Sequence, residues 1–280
     1  MADEAFFEFG IGQNDDKVGK KIVRFSAEKR TYRLGFSFWD GLDGDNLDDV
    51  MKALLKAMTT EDETAPATAK FIGAARHYKQ GVGYFLAKGP EYAELAGEAA
   101  KTYVATIVIA WPSDQKGNVT KESLTRLPDL HPWVFSKDKY QPISAAHMQF
   151  PFGDHDLMVT CTDTQYQKMT FLPAKASLFR SFIERALGDE VMKEMFGKDI
   201  KGESRPPDKR SREVVEYIVD VSREIKAKIR DFIARDMTLK QIREKLGGDD
   251  SPVGGGGGGG GGSPMADEEV DGLLGDILED

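Results

Sequence analysis

The chain has 280 residues, 40% of them hydrophobic, with 38 Lys and Arg against 47 Asp and Glu and a formal net charge of −9. That length suits one large domain or one domain plus a small one, with enough apolar content for a real core. Without a run of about 18 apolar residues there is no membrane-spanning helix to expect. A lone cysteine, Cys161, excludes a disulfide within the chain and points to a cytosol-like compartment. Four scattered histidines (His77, His131, His147, His155) do not supply the ligand set of a structural zinc site, and the acidic start, residues 1–10, lacks a signal-peptide pattern.

Residues 1–16 read as an acidic, phenylalanine-rich arm (Phe6, Phe7, Phe9). Residues 18–39 alternate as a strand pair (Val18, Ile22, Val23, Phe25, then Tyr32, Leu34, Phe36, Phe38), which predicts a hairpin turning at Ala27-Glu28-Lys29. Between Lys17 and Arg33 seven cations face Glu28 alone, a local charge of +6. Residues 46–58 spell an amphipathic helix through Leu47, Val50, Met51, Leu54, Leu55 and Met58, with Asp45 or Asn46 as its cap and Asp48 and Asp49 at its positive end. A polar loop, 59–68, leads to a stretch from Lys70 to Lys88 that interleaves aromatic and basic residues, and Pro90 opens a short helix through Ala100. Thr102 to Trp111 is rich in β-branched residues and reads as a strand. After a long loop, 112–130, the pattern predicts strands over 133–143 and 156–164, the latter paired with 168–172. Five or so short strands with long loops fit a small open barrel better than an α/β sheet.

Past Pro173 the pattern turns helical, over 175–187 and 190–196. ESRPPDK (203–209) is a boundary signal. A long helix over 211–235 puts Val214, Ile218, Val221, Ile225, Ile229 and Phe232 on one face, and Thr238 caps a last short helix ended by Gly247. Then come Asp249 and Asp250, nine glycines from Gly254 to Gly262, and a closing segment, 265–280, with seven carboxylates and no Lys or Arg. Those 7 + 2 carboxylates equal the whole net charge, so residues 1–248 are neutral overall. A polyglycine tract acts as a flexible tether. The acidic tip carries Val270, Leu273, Leu274, Ile277 and Leu278, which suits competition with polyanions for a basic groove or docking to a partner. An inert solubilising tail would need no LLxxIL at near-helical spacing.

Binding nucleic acid takes cations for phosphates and flat rings for unstacked bases. Two stretches interleave them: Arg76-His77-Tyr78-Lys79 through Tyr84-Phe85 to Lys88, and Trp133 to Tyr140, where alternation would set Trp133, Phe135 and Lys137 on one strand face with Phe150, Phe152 and Tyr166 around it. The competing reading makes the aromatics core and the lysines solvated surface. Signs of catalysis are sparse. Gly153-Asp154-His155-Asp156 could ligate a metal but reads better as a turn before a strand, Cys161 reads as a small core residue, and no P-loop, GxSxG or HExxH is present. Arg235 to Gly247 only loosely resembles half of a helix-turn-helix.

Lys101-Thr102-Tyr103-Val104-Ala105-Thr106-Ile107-Val108-Ile109 with the following Pro112, Asp114 and Gly117-Asn118-Val119, the alternating Trp133 to Tyr140, Asp156-Leu157-Met158-Val159-Thr160 with Lys168-Met169-Thr170-Phe171-Leu172, and the ending from Asp271 to Asp280 together resemble the replicative single-stranded DNA-binding proteins of tailed bacteriophages, the OB-fold group with acidic C-terminal tails. The resemblance covers roughly 18–172 and resumes at the tail. It departs from the family in lacking zinc ligands and a basic N-terminal arm, and the helices over 205–248 have no counterpart. It implies an OB-type open β-barrel with peripheral helices (core 17–200) and an acidic-aliphatic tail (265–280) expected to be disordered; with the C-terminal helical module (205–248) and glycine-rich linker (249–264) read from the residues, the expected fold class is α+β. It further implies DNA contacts from Lys101 and Tyr103 and from the alternating Trp133, Phe135, Lys137, Lys139 and Tyr140; the basic hairpin and the aromatic-basic stretch add Lys20, Lys21, Arg24, Arg30 and Arg33 as phosphate candidates and Tyr78 as a stacking candidate. Docking of replication or recombination proteins would fall to Leu273, Leu274, Ile277 and Leu278, in the cytoplasm of an infected bacterium. The expectation is a protein with no catalytic residue, metal or cofactor and no membrane partner. Two alternatives stay open: a phage structural or assembly protein with a partner-docking tail, and a metal-dependent nuclease built on Asp154, His155 and Asp156.

Overall fold

A computed structural model of the chain describes residues 30–59, 72–79, 83–85, 92, 101–162, 168–197, 203–234 and 237–245. The fold is mixed α+β. Seven strands form one sheet: β1 (Arg30–Phe36), β2 (Ile72–Lys79), β3 (Gly83–Phe85), β4 (Lys101–Ala110), β5 (Asp129–Ser136), β6 (Leu157–Cys161) and β7 (Met169–Pro173). Every pairing between them is antiparallel, in the order β3-β2-β4-β1-β6-β7, with β5 added on β4. Among the described residues no pairing joins the ends, so the sheet is open. β5 occupies one edge of β4 from Tyr103 to Ala110, and the opposite edge is divided between β2, along 101–106, and β1, along 108–110.

The TYVATIVIA run makes β4 the centre because both of its faces are covered: Val104, Ala105, Thr106, Ile107, Val108 and Ile109 are all buried. One face meets Leu34, Phe36 and Trp133 across the ladder. On that side Phe36 stacks on Phe152 at 4.3 Å, and His147 packs against the same ring at 4.7 Å. On the other, Trp111 lies over Gly35 and stacks on Phe182 at 5.6 Å.

Six helices complete the described fold: α1 (Leu47–Thr59), α2 (Lys137–Gln149), α3 (Leu178–Leu187), α4 (Asp189–Phe196), α5 (Lys209–Ala234) and α6 (Leu239–Lys245). Asn46 caps α1, its Oδ1 accepting from the Asp48 and Asp49 N–H groups at 2.8 and 3.4 Å, and the buried stripe is Val50, Met51, Leu54, Leu55 and Met58. Burying each such side chain contributes about 1.5–3 kcal/mol. Ser177 caps α3 and Thr238 caps α6. α5 packs onto the sheet. Val214, Val215, Ile218, Val219, Ile225 and Ile229 join the same core as β4. Its outer turns grip the loop before α1: Arg223 Nε donates to Leu42 O at 2.8 Å, and Lys226 Nζ donates to Trp39 O and Asp43 Oδ2, both at 2.9 Å. The 203–209 boundary signal is tied back too, since Asp189 accepts from the Arg205 backbone N–H and guanidinium. No described helix is long and apolar enough to cross a membrane.

One expected element changes. The strand predicted over 133–143 starts earlier, at Asp129, and ends at Ser136, where α2 takes over. Pro132 is tolerated within β5 because only one edge of this strand has a described partner. Within α2 the helical signal is Ile143 and His147, one turn apart and both buried, while Pro142 obscures it. Of the hairpin predicted over 18–39, residues 30–36 form β1, which pairs with β4 and β6; residues 18–29 lie outside the described residues, as does the helix predicted over 90–100 apart from Tyr92.

Gly153 marks the tightest contact between the α2–β6 turn and α1. A Cβ there would stand 2.2 Å from Met58 O. Gly153→Ala should therefore push the end of α1 away and destabilise by about 1–3 kcal/mol, as overpacking does. An unchanged urea midpoint would show that the contact yields without cost.

Candidate nucleic-acid interface

Directly opposed residues in an antiparallel ladder share a face, as do residues two apart on one strand. The register sets Tyr84 of β3 opposite Tyr78 of β2, and Tyr78 opposite Lys101 of β4. The neighbouring row is Arg76, Tyr103 and Ser136. Tyr84, Tyr78 and Tyr103 thus occupy one sheet face together with Arg76 and Lys101, on three adjacent strands. Farther along β4 the same face carries Ala105 and Ile107, both buried, so the rows stand at the margin of the packed region. α2 starts one residue beyond Ser136, which brings Lys137, Lys139 and Tyr140 to the same end of the sheet. Lys139 and Tyr140 are half-buried, and Tyr140 packs against the core.

Several expected site residues are placed elsewhere. Trp133 is a core residue, 4% exposed, with its ring 6.5 Å from Phe171 of β7; it is in no position to stack on a base. Phe135, opposite Val104, is on the face of Trp133 rather than that of Tyr103. Lys137 opens a helix and is not on a strand face at all. Arg33 is committed inward: its Nε donates to Asp156 Oδ2 and its Nη2 to Ala176 O, both at 2.8 Å. Arg30 holds Ser113 O through Nη2 at 3.0 Å and lies 4.6 Å over the Tyr32 ring. Lys20, Lys21, Arg24, Leu273, Leu274, Ile277 and Leu278 lie outside the described residues. Sequence alone does not single out Tyr84 and Arg76 as site residues, although both fall in the aromatic-basic stretch. What singles them out is the β2–β3–β4 register, which no local pattern announces.

The acidic turn before β6 is a structural joint. Asp154 pairs with Arg180, His155 Nδ1 is 2.8 Å from Ala174 O, and Asp156 is fully buried beside Arg33. Burial raises the Asp156 pKa from 3.8 to about 6, opposed first by the Arg33 charge and then by hydrogen bonds from Arg33 and the Leu178 N–H. Among the described residues no group of three or more His, Cys, Asp or Glu is arranged to hold a metal. Cys161 is fully buried in β6. The loop after β4 closes on Asp114, which accepts from the Lys116 and Asn118 N–H groups at 2.8 Å and from Asn118 Nδ2 at 3.0 Å; the Asn118 side-chain bond leads in holding its carboxyl below the usual range. Comparison with family models, with curated proteins and with solved structures finds no match to this chain.

Proposed function

We propose that this chain is a non-catalytic protein that binds single-stranded DNA without strong sequence preference, serving replication or recombination in an infected bacterial cell. The observation that carries the reading is the grouping of Tyr84, Tyr78 and Tyr103 with Arg76 and Lys101 on one sheet face. Rings offer every base a stacking surface and cations track the backbone, a combination that suits single strands of any sequence. The open antiparallel sheet, with α2 inserted between β5 and β6, is compatible with an OB-type barrel. The acidic tail would compete for the same cations when DNA is absent and dock partner enzymes when DNA displaces it.

Titration with labelled oligo-dT at several salt concentrations tests this. With Arg33 and Arg30 engaged within the fold and Arg76 added, about seven candidate cations remain, and at about 0.7 per phosphate contact log K should fall against log salt with a slope near −5. Tyr78→Ala, Tyr84→Ala and Tyr103→Ala should each weaken binding by about 1–3 kcal/mol with melting temperatures retained. Equal affinity for duplex and single strands in one buffer would defeat the proposal. Removing residues 249–280 should raise affinity, most at low salt where screening is weak. A tether of about 20–30 residues reaches on the order of 25–30 Å, enough to bring the tip across a domain of this size. If truncation changes neither affinity nor salt slope, the tail does not compete for the groove.

A further inference from the structure

We infer that Asp156 is a proton-operated latch between the sheet and α3: ionised, it ties β1 to the N-terminus of α3, and protonated, it releases Arg33 while the fold stays intact. The geometry is that of a single buried carboxylate serving two elements. Its Oδ2 takes the Arg33 Nε–H of β1 at 2.8 Å, and both oxygens lie 3.3 Å from the Leu178 N at the first turn of α3. Arg33 reinforces the joint by donating through Nη2 to Ala176 O, two residues before α3 begins. The Asp156 side chain has no exposure, whereas that of Arg33 is 17% exposed, so only the cation has a short path to water. Gly35 lets the parts close up: a Cβ there would meet Trp111 Nε1 at 2.9 Å and Asp156 Oδ1 at 3.3 Å.

The charges around the latch are few. Arg33 is the cation facing the carboxylate from β1, and α3 offers the Leu178 N–H; the Trp111 indole after β4 lies nearby without a hydrogen bond. On the segment of Asp156 itself, Asp154 is occupied by Arg180, and Arg180 also bonds Glu184 at 3.1 Å; His155 is bonded to Ala174 O. Asp156 and Arg33 therefore respond to acid as a pair. The folded-state value is raised above 3.8, so the folded protein holds this proton more tightly than the unfolded chain does. The stability this group contributes is fully present below about pH 4 and is lost as pH rises through about 6. Acid thus opens the latch without unfolding the protein through this group. The neutral acid no longer balances the guanidinium, which can move the short distance to solvent.

Carbon-13 carboxyl NMR on the full chain reads the titration directly, the Asp156 signal being identified by its loss in Asp156→Asn. The expected midpoint is near pH 6. Through that midpoint the Arg33 Nε–H signal should broaden by exchange with water, and the protection factor of the Leu178 amide should fall by about tenfold or more, with the circular dichroism spectrum retained. Arg33→Gln removes the cation that favours the carboxylate and should move the midpoint further up. A wild-type midpoint at or below about pH 4 overturns the latch, as does an Arg33 Nε–H signal that passes through the midpoint unchanged. The wild-type titration decides the matter even if Arg33→Gln fails to fold.

Discussion

Trp133→Ala should lower the unfolding free energy by about 3–5 kcal/mol, the range for emptying a core aromatic site. The indole is 4% exposed, sits opposite Thr106 on the buried face of β4, and has its ring 6.5 Å from Phe171, so it packs between β5 and β7. Truncation leaves a cavity between two strands that no ladder bond joins among the described residues. A urea melt beside an oligo-dT titration separates the possibilities. The expected pattern is a large fall in midpoint, with the folded fraction still binding DNA. A variant that melts like the parent but has lost its affinity would return Trp133 to the stacking surface.

Arg33→Ala should be of similar severity at neutral pH, about 3–5 kcal/mol, because removing one partner of a buried pair strands the other charge. Asp156 would then be a carboxyl with no exposure and no cation beside it, so its midpoint should move further up and it should take a proton at the expense of folding free energy. The loss should shrink as pH falls from the variant's raised midpoint to about 6 and level off below it, where the carboxyl is protonated with or without the cation. Replacing both partners by apolar residues of similar volume, Arg33→Met with Asp156→Leu, should be milder than Arg33→Ala alone. The salt slope of oligo-dT binding should not change, since Arg33 is turned inward with Nε on Asp156 and Nη2 on Ala176 O. A slope that drops by about 0.7 would place Arg33 among the phosphate contacts after all.

Most elements were legible because their signals are local. The stripe of α1, the β-branched run of β4, the alternation of β6 and the Asn46 and Thr238 caps follow from periods and side-chain chemistry that need no knowledge of neighbours. Two kinds of information were not local. Trp133-Val134-Phe135-Ser136-Lys137 alternates convincingly, yet the strand ends within it, because the buried face of α2 (Ile143, His147) is set by what Phe152 brings to that helix. Burial was misjudged in the same way. Trp133 and Arg33 look like nucleic-acid residues by type, but a ring and a cation are sorted into core, ion pair or surface by pairing partners far along the chain, Thr106 and Phe171 for one and Asp156 for the other. Tyr78 and Tyr103 were named from sequence, whereas their alignment with Tyr84 and Arg76 is a property of register alone.

The divided edge of β4 bears on how the sheet comes apart. β2 and β3 hang on residues 101–106, β1 with β6 and β7 on 108–110, and no pairing links the two groups among the described residues. The first wing carries the tyrosine rows and the second carries the Asp156 joint. Each can unzip from β4 while the other stays bonded, and β5 keeps the β4 backbone in register meanwhile. Amide exchange should accordingly resolve two cooperative opening units with separate free energies. Fraying of the β2–β3 wing would then leave the β1–β6–β7 half, and the α3 junction it supports, standing.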